Sequence, residues 1–318
     1  RVRVETANNG NSGIFLSHGG ALAVSEGNET SRLAWRARSG AFVPISADAK
    51  PFMEPRISPD GTRIAVMTTD GGNSDIWMYD IRQRTLSRLT SVGSVSSATW
   101  ADPTHLVYAA AGKTARIGAW LLDISGGRPP ELLVEIPGLA TGVSLSPDGR
   151  TVYFQALVDG AWHVMQTPRG SAGAAVSVSG VLGRGGAASA SAGRLSPDGK
   201  LLSFSTAQTG RLEVYVHALA GDSSTIQVSA GGGRESAWSA DGTKLYYQAG
   251  TRIVAARLSH TPRRSVAARD TVFSLDGAVQ NSSSFGSAWD GAADGRLLVL
   301  QTTRAAQHFI VSPNWITE

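Results

Sequence analysis

A four-residue turn, Ser58-Pro59-Asp60-Gly61, constrains this chain more than any other feature, because it recurs. Ser146-Pro147-Asp148-Gly149 and Ser196-Pro197-Asp198-Gly199 repeat it outright, and Ser239-Ala240-Asp241-Gly242 and Ala292-Ala293-Asp294-Gly295 are softened copies. Proline fixes φ near the value that the second position of a type I turn needs. Aspartate suits the third position and bonds nearby backbone, and glycine closes the hairpin in the left-handed region. Each copy leads into an apolar alternating run, such as Ile64-Ala65-Val66 or Val152-Tyr153-Phe154. One such hairpin would be generic; five define a repeat architecture.

Alignment on the turn yields seven units, with turns near residues 20, 60, 102, 148, 198, 241 and 294. Gly19-Gly20 replaces Asp-Gly in the first. The third, Trp100-Ala101-Asp102-Pro103-Thr104-His105, lacks the glycine; His105 could supply the positive φ, and the turn is left open. From Gly20 to Gly295 the period is about 46 residues, the length of four short antiparallel strands and their turns. The predicted fold is therefore all-β: a single β-propeller domain over residues 1–318, built of four-stranded antiparallel blades. Seven blades are the direct count; six is the alternative if the first or third unit is not a true blade. Runs at Val2–Glu5 and Gly13–Ser17 are expected to complete the first and last blades and tie the ring shut. Trp35, Trp77, Trp120 and Trp162 fall at matching third-strand positions, with Tyr215, while Trp100, Trp238 and Trp289 precede the turn. Their recurrence predicts packing between blades rather than an aromatic ligand box.

Composition narrows the function. Hydrophobic residues at 42% and charged residues at 17% fit a folded core, and no apolar run reaches the roughly 20 residues that span a bilayer. The absence of cysteine excludes thiol catalysis, disulfides and thiolate metal sites. The net charge is +4 and the pI about 9.6, but the basic residues are scattered and make no stripe for nucleic acid. A start at Arg1 rather than Met reads as a cleaved signal peptide or a missing N-terminal segment, such as an anchor.

The stretch Pro-Arg-Ile-Ser-Pro-Asp-Gly-Thr-Arg-Ile-Ala-Val, followed by Asp-Ile-Trp-Met-Tyr-Asp-Ile and Arg-Leu-Thr (Pro55 to Thr90), resembles the TolB-like, WD-repeat-like bacterial β-propellers. The ending His308-Phe309-Ile310-Val311-Ser312-Pro313-Asn314-Trp315 is similar to the last strand of propellers fused behind bacterial Ser/Thr kinases. The resemblance implies a periplasmic or exported protein that binds proteins, peptides or envelope components, as a subunit of a membrane-protein assembly or as a sensor. It implies no catalytic residues, metal ligands or cofactor.

The residues themselves point the same way. His18, His105, His163, His217, His260 and His308 are dispersed, and no Gly-x-Ser-x-Gly elbow occurs. The turn residues Asp60, Gly61, Asp148, Gly149, Asp198, Gly199, Asp241, Gly242, Asp294 and Gly295 are read as structural. Two irregular loops, around Arg184, Gly185 and Gly186 and around Asn281 and Ser282, are candidate partner-docking sites. The readings set against this one are a metal-dependent, lactonase-like hydrolase or a lyase working in the central channel, and a small-ligand or glycan-binding propeller.

Overall fold

In the computed structural model, described residues run from 30 to 303, apart from 38, 71, 112–115, 172–174, 179–189, 220–223, 260–263 and 276–286. Beyond them the backbone of the terminal strands Arg3–Thr6, Ser12–Leu16, Leu22–Glu26 and His308–Ser312 is also described. The described residues form strands and turns without a helix. Seven four-stranded antiparallel sheets result, and six of them are the blades of a propeller.

Blade 2 shows the plan: Phe52–Ile57 innermost, then Arg63–Asp70, Asn73–Asp80 and, outermost, Thr85–Arg88. Blade 3 is Val95–Asp102, His105–Ala111, Ile117–Asp123 and Glu131–Ile136; blade 4 is Ala140–Leu145, Thr151–Val158, Ala161–Pro168 and Val176–Ser177. Blade 5 is Ala190–Leu195, Leu201–Thr206, Glu213–Ala218 and Thr225–Gln227; blade 6 is Arg234–Trp238, Lys244–Ala249, Arg252–Ser259 and Ser265–Ser274. Blade 1 draws on both ends of the chain. Its inner strands are Trp289–Gly291 and Leu297–Thr303, and its outer strands are Thr30–Arg36 and Phe42–Pro44. Thr303 lies opposite Thr30 and Leu297 opposite Arg36, and the Thr30 and Thr303 hydroxyls bond at 2.8 Å.

The expected preference for seven blades is therefore corrected to six. The first and last sequence units each hold half of one blade, so counting turns counts that blade twice. The runs near the N-terminus do not complete the ring either. Arg3–Thr6, Ser12–Leu16 and Leu22–Glu26 pair with one another and with His308–Ser312 in the seventh sheet.

Packing explains why six sheets close. A blade is apolar on both faces: Leu201–Thr206 and Glu213–Ala218 are buried at every position. Each face needs a neighbouring sheet, which radial stacking supplies. Six apolar clusters result, one per junction. Leu33, Phe52 and Ile64 join blades 1 and 2, and Met67, Ile76 and Leu106 join 2 and 3. Val107, Val143 and Phe154 join 3 and 4, and Tyr153, Phe204 and Tyr215 join 4 and 5. Val216, Trp238 and Leu245 join 5 and 6, and Ile253, Phe273 and Trp289 join 6 and 1.

The tryptophans split into two groups. Trp289 and Trp238 are buried in blade junctions. The Nε1 of Trp100 and of Trp238 donates to a carbonyl of the preceding blade, Arg56 at 3.0 Å and Arg194 at 3.1 Å. Among the third-strand residues, Trp35 and Tyr215 are buried, whereas Trp77, Trp120 and Trp162 are only partly covered.

Candidate functional site

The Asp-Gly turns define one face of the disc. In four of the five, the serine hydroxyl donates to the aspartate, as from Ser58 to Asp60 (2.6 Å) and from Ser239 to Asp241 (2.6 Å). The same serine oxygen accepts the N–H five residues on, Arg63 or Lys244. Gly61, Gly149, Gly199, Gly242 and Gly295 all lie at φ between 70° and 82°. Asp148 and Asp198 accept from the Ser146 and Ser196 hydroxyls in the same way, and Asp294 accepts from Arg296. The Ser239 hydroxyl, with the Thr243 N–H and hydroxyl, holds the Asp241 carboxyl down to about 2. These aspartates are committed to their turns. In blade 3 the turn is two residues, Pro103-Thr104, capped by Asp102, which accepts from the Thr104 and His105 N–H groups. His105 does not take the left-handed option: a two-residue turn needs no fifth position.

Within the ring of turns the inner strands enclose a cavity of about 760 Å³. Asp60, Asp102, Asp294 and Arg296 of the turns line its rim, and its deeper lining comes from two positions of the repeat, six and four residues before the turn aspartate. In blade 2 these are Glu54 and Arg56, in blade 6 Glu235 and Ala237, and in blade 4 Gly142 and Ser144. Blade 5 adds Arg194, blade 1 adds Asp290, and blade 3, whose turn is one residue shorter, adds Ser97 and Thr99. Five ionisable groups thus meet near the axis: Glu54, Arg56, Arg194, Glu235 and Asp290.

The backbone explains how they reach it. Each inner strand of blades 2 to 6 carries a β-bulge. At the bulge Glu54 (φ 50°), Gly142 (φ 61°) and Glu235 (φ 48°) are left-handed. That conformation is strained for any side chain, and more so for Glu54, which precedes Pro55. Glu54 is 7% exposed and Glu235 8%. Glu54 lies 3.5 Å from Arg56, whose other nitrogen donates to the Pro55 carbonyl at 2.8 Å. Glu235 lies 3.6 Å from Arg234, and Asp290 accepts the Ile57 N–H at 2.9 Å across the junction of blades 1 and 2. Burial raises the Glu54 carboxyl above its ordinary value, against the pull of Arg56 and Arg194. Burial, and then the nearby Arg56 charge, bring the Arg194 guanidinium down to about 10 despite Asp290, Glu54 and Glu235.

Gly142 shows the need for a left-handed residue most directly. A Cβ there would sit 2.2 Å from the Gln155 amide nitrogen. Gly142→Ala is expected to lose about 1–3 kcal/mol of stability in urea unfolding, from backbone strain plus displacement of buried Gln155.

The opposite face carries the second-to-third-strand hairpins and the crossovers between blades. Val92, Leu139, Leu157, Val158 and Leu212, each at least 38% exposed, lie there. The other large exposed apolar residues among those described, Val43, Leu132 and Val176, sit on or beside outer strands. The candidate loop residues Arg184, Gly185, Gly186, Asn281 and Ser282 fall between blades 4 and 5 and between blades 6 and 1 in the chain. They lie outside the described residues. His163 and His217 are on third strands away from the axis, and His217 bonds Thr225 at 2.8 Å. Among the described residues, no three histidine, aspartate or glutamate side chains are grouped so as to hold a metal ion.

No protein-family model matches the chain, and no curated protein gives a significant match. Solved structures do. A putative TolB from Agrobacterium tumefaciens is similar with a TM-score of 0.61 at 15% identity, over 87% of this chain and 99% of that one. TolB from Acinetobacter baumannii gives 0.54 at 16% identity, over 87% of this chain and 66% of that one. A chain of a nidogen/laminin complex gives 0.51 at 10% identity, over 81% and 92%. At such identities the likeness is one of fold. The chain is a six-bladed β-propeller whose fold is similar to that of TolB.

Proposed function

We propose that this propeller is a non-catalytic interaction module that docks a protein partner on the crossover face, as an exported accessory subunit of an envelope or membrane-protein assembly. One observation carries the reading: the segregation of exposed apolar side chains. Five of them lie on the crossover face, along an arc from the junction of blades 2 and 3 to blade 5, and none of those described lies on the turn face. Leu139 and Leu157 are neighbours there, the Leu157 N–H donating to the Leu139 carbonyl at 3.1 Å. Apolar side chains gathered on one face of an otherwise polar surface fit protein contact. The turn-face aspartates, by contrast, have their hydrogen-bonding capacity directed into their own turns. The described residues include no helix able to cross a membrane, which agrees with attachment through a partner.

The double variant Leu139→Asp/Leu157→Asp should lose at least tenfold in recovery of a partner captured from native membranes and identified by mass spectrometry. A turn-face control, Lys200→Glu, should retain it. Loss with the control and retention with the double variant would reverse the assignment of faces, and retention with both would remove the docking claim.

A further inference from the structure

The charged lining of the turn-face cavity is more than ring closure requires. Blade 4 meets the left-handed bulge with Gly142, the residue suited to it. Blades 2 and 6 place glutamates in the same strained conformation, bury them, and direct them into one cavity. Strain of this kind is retained where the side chain has a task. Closing the ring is not that task, because blades 3 and 4 join with Ser97, Thr99, Gly142 and Ser144 at the corresponding positions.

Arg194 supplies an independent observation. Blades 2 and 5 are opposite in the ring of six, so Arg56 and Arg194 approach the axis from opposite sides. Arg56 is engaged by Glu54 and by the Pro55 carbonyl. Among the described residues the Arg194 guanidinium has no hydrogen-bond or ion-pair partner at bonding distance. Asp290, Glu54 and Glu235 act on it only through longer-range attraction. A guanidinium offers five donors in a plane that matches a carboxylate. Near the axis three carboxylates face two guanidiniums, and the rim adds Asp60, Asp102 and Asp294 against Arg296, so the lining carries an excess of negative charge. A purely anionic ligand would meet that excess, and a phosphate would meet it most strongly. A purely cationic ligand would leave Arg194 unmatched. The complementary molecule carries one carboxylate and a net positive charge.

We propose that the turn-face cavity binds a small zwitterion of the basic α-amino acid class, its carboxylate on Arg194 and its cationic end among Glu54, Glu235 and Asp290. The Ser97, Thr99 and Ser144 hydroxyls of blades 3 and 4 line the neutral side, where the α-ammonium or bridging water fits.

Isothermal titration of the whole chain with L-arginine, L-lysine, agmatine and acetate tests this. Both amino acids should bind saturably and at least tenfold more tightly than agmatine, which lacks the carboxylate, or acetate, which lacks the cation. Arg194→Gln should weaken L-arginine at least tenfold and leave agmatine unchanged, whereas Glu235→Gln should weaken both. Each variant is accepted only if its thermal melt matches the parent's; Arg194→Lys, which keeps the charge and loses the fork, provides an intermediate case. No saturable binding of either amino acid, agmatine bound as tightly as L-arginine, or Arg194→Gln binding L-arginine like the parent would each overturn the proposal. The two faces are tested separately, because Leu139→Asp/Leu157→Asp should titrate with L-arginine like the parent whatever happens to partner capture.

Discussion

Trp289→Ala should lower the unfolding free energy by about 3–5 kcal/mol, the largest loss expected from any single truncation in this chain. Trp289 is 1% exposed and packs with Ala34, Phe273 and Leu297 where blade 6 meets blade 1. Most core residues hold together two sheets that are each continuous in sequence. Trp289 also holds a sheet whose halves come from opposite ends of the chain. The space it vacates would be framed by rigid strands that cannot collapse inward without opening the junction. Its Nε1 is buried with no hydrogen-bond partner among the described residues, so Trp289→Phe loses packing but no bond. That milder change should cost about 1–2 kcal/mol. Urea unfolding measures both, and a loss below about 1 kcal/mol for the alanine variant would show that this junction does not limit stability.

The second large effect is expected at Asp75, at about 2–4 kcal/mol for Asp75→Ala. Its carboxylate, 4% exposed, lies in the first half of the third strand of blade 2 and ties down the crossover to blade 3. It accepts from the Arg88 guanidinium (2.7 Å), the Thr90 hydroxyl (2.8 Å), the Val92 N–H (2.9 Å) and the Gly93 N–H (3.2 Å). Glu213 does the same in blade 5, accepting from Ser229, Arg211 and the Gly232 N–H. Burial alone would raise both carboxyls; the hydrogen bonds from Thr90, Arg88 and Gly93 and from Ser229, Arg211 and Gly232 outweigh it and hold them below their ordinary values. A depressed folded-state pKa contributes stability that is complete above the unfolded value, about 4, and is lost as pH falls through the folded one. Unfolding titrations should therefore show stability falling below about pH 4, with a shallower fall in Asp75→Asn. A parallel fall in the variant would place the acid sensitivity elsewhere.

The sequence disclosed a good deal about this molecule, for physical reasons. The Ser-Pro-Asp-Gly turn is local: its hydrogen bonds span five residues, so it appears wherever its letters do. The four-stranded unit was legible for the same reason. The number of blades was not, because it depends on Thr30–Arg36 pairing with Leu297–Thr303, and nothing local marks two half-blades as one. The charged axis was missed although its signal was present. Counting back from each turn aspartate brings Glu54 level with Glu235, and Arg56 level with Arg194 and Asp290, in a single register. The simple alternation of strands hides this, since a bulge resets which side chains face inward. Apolar segregation on the crossover face could not have been read from the chain either, because those residues come from four separate connections.

Blade 1 has a kinetic consequence. Its two halves are some 270 residues apart, the Thr30–Thr303 contact being among the longest-range in the molecule. During synthesis Thr30–Arg36 emerges with Phe42–Pro44 as its outer partner, but its inner partner, Leu297–Thr303, follows only after blades 2 to 6 have been made. Blades 2 to 6 can assemble one after another in the meantime, each on its predecessor, as an open arc with a sticky edge at either end. That arc is the species most prone to pair with a second nascent copy, so aggregation in such a chain should track the time spent before the final strands appear rather than the stability of the finished wheel.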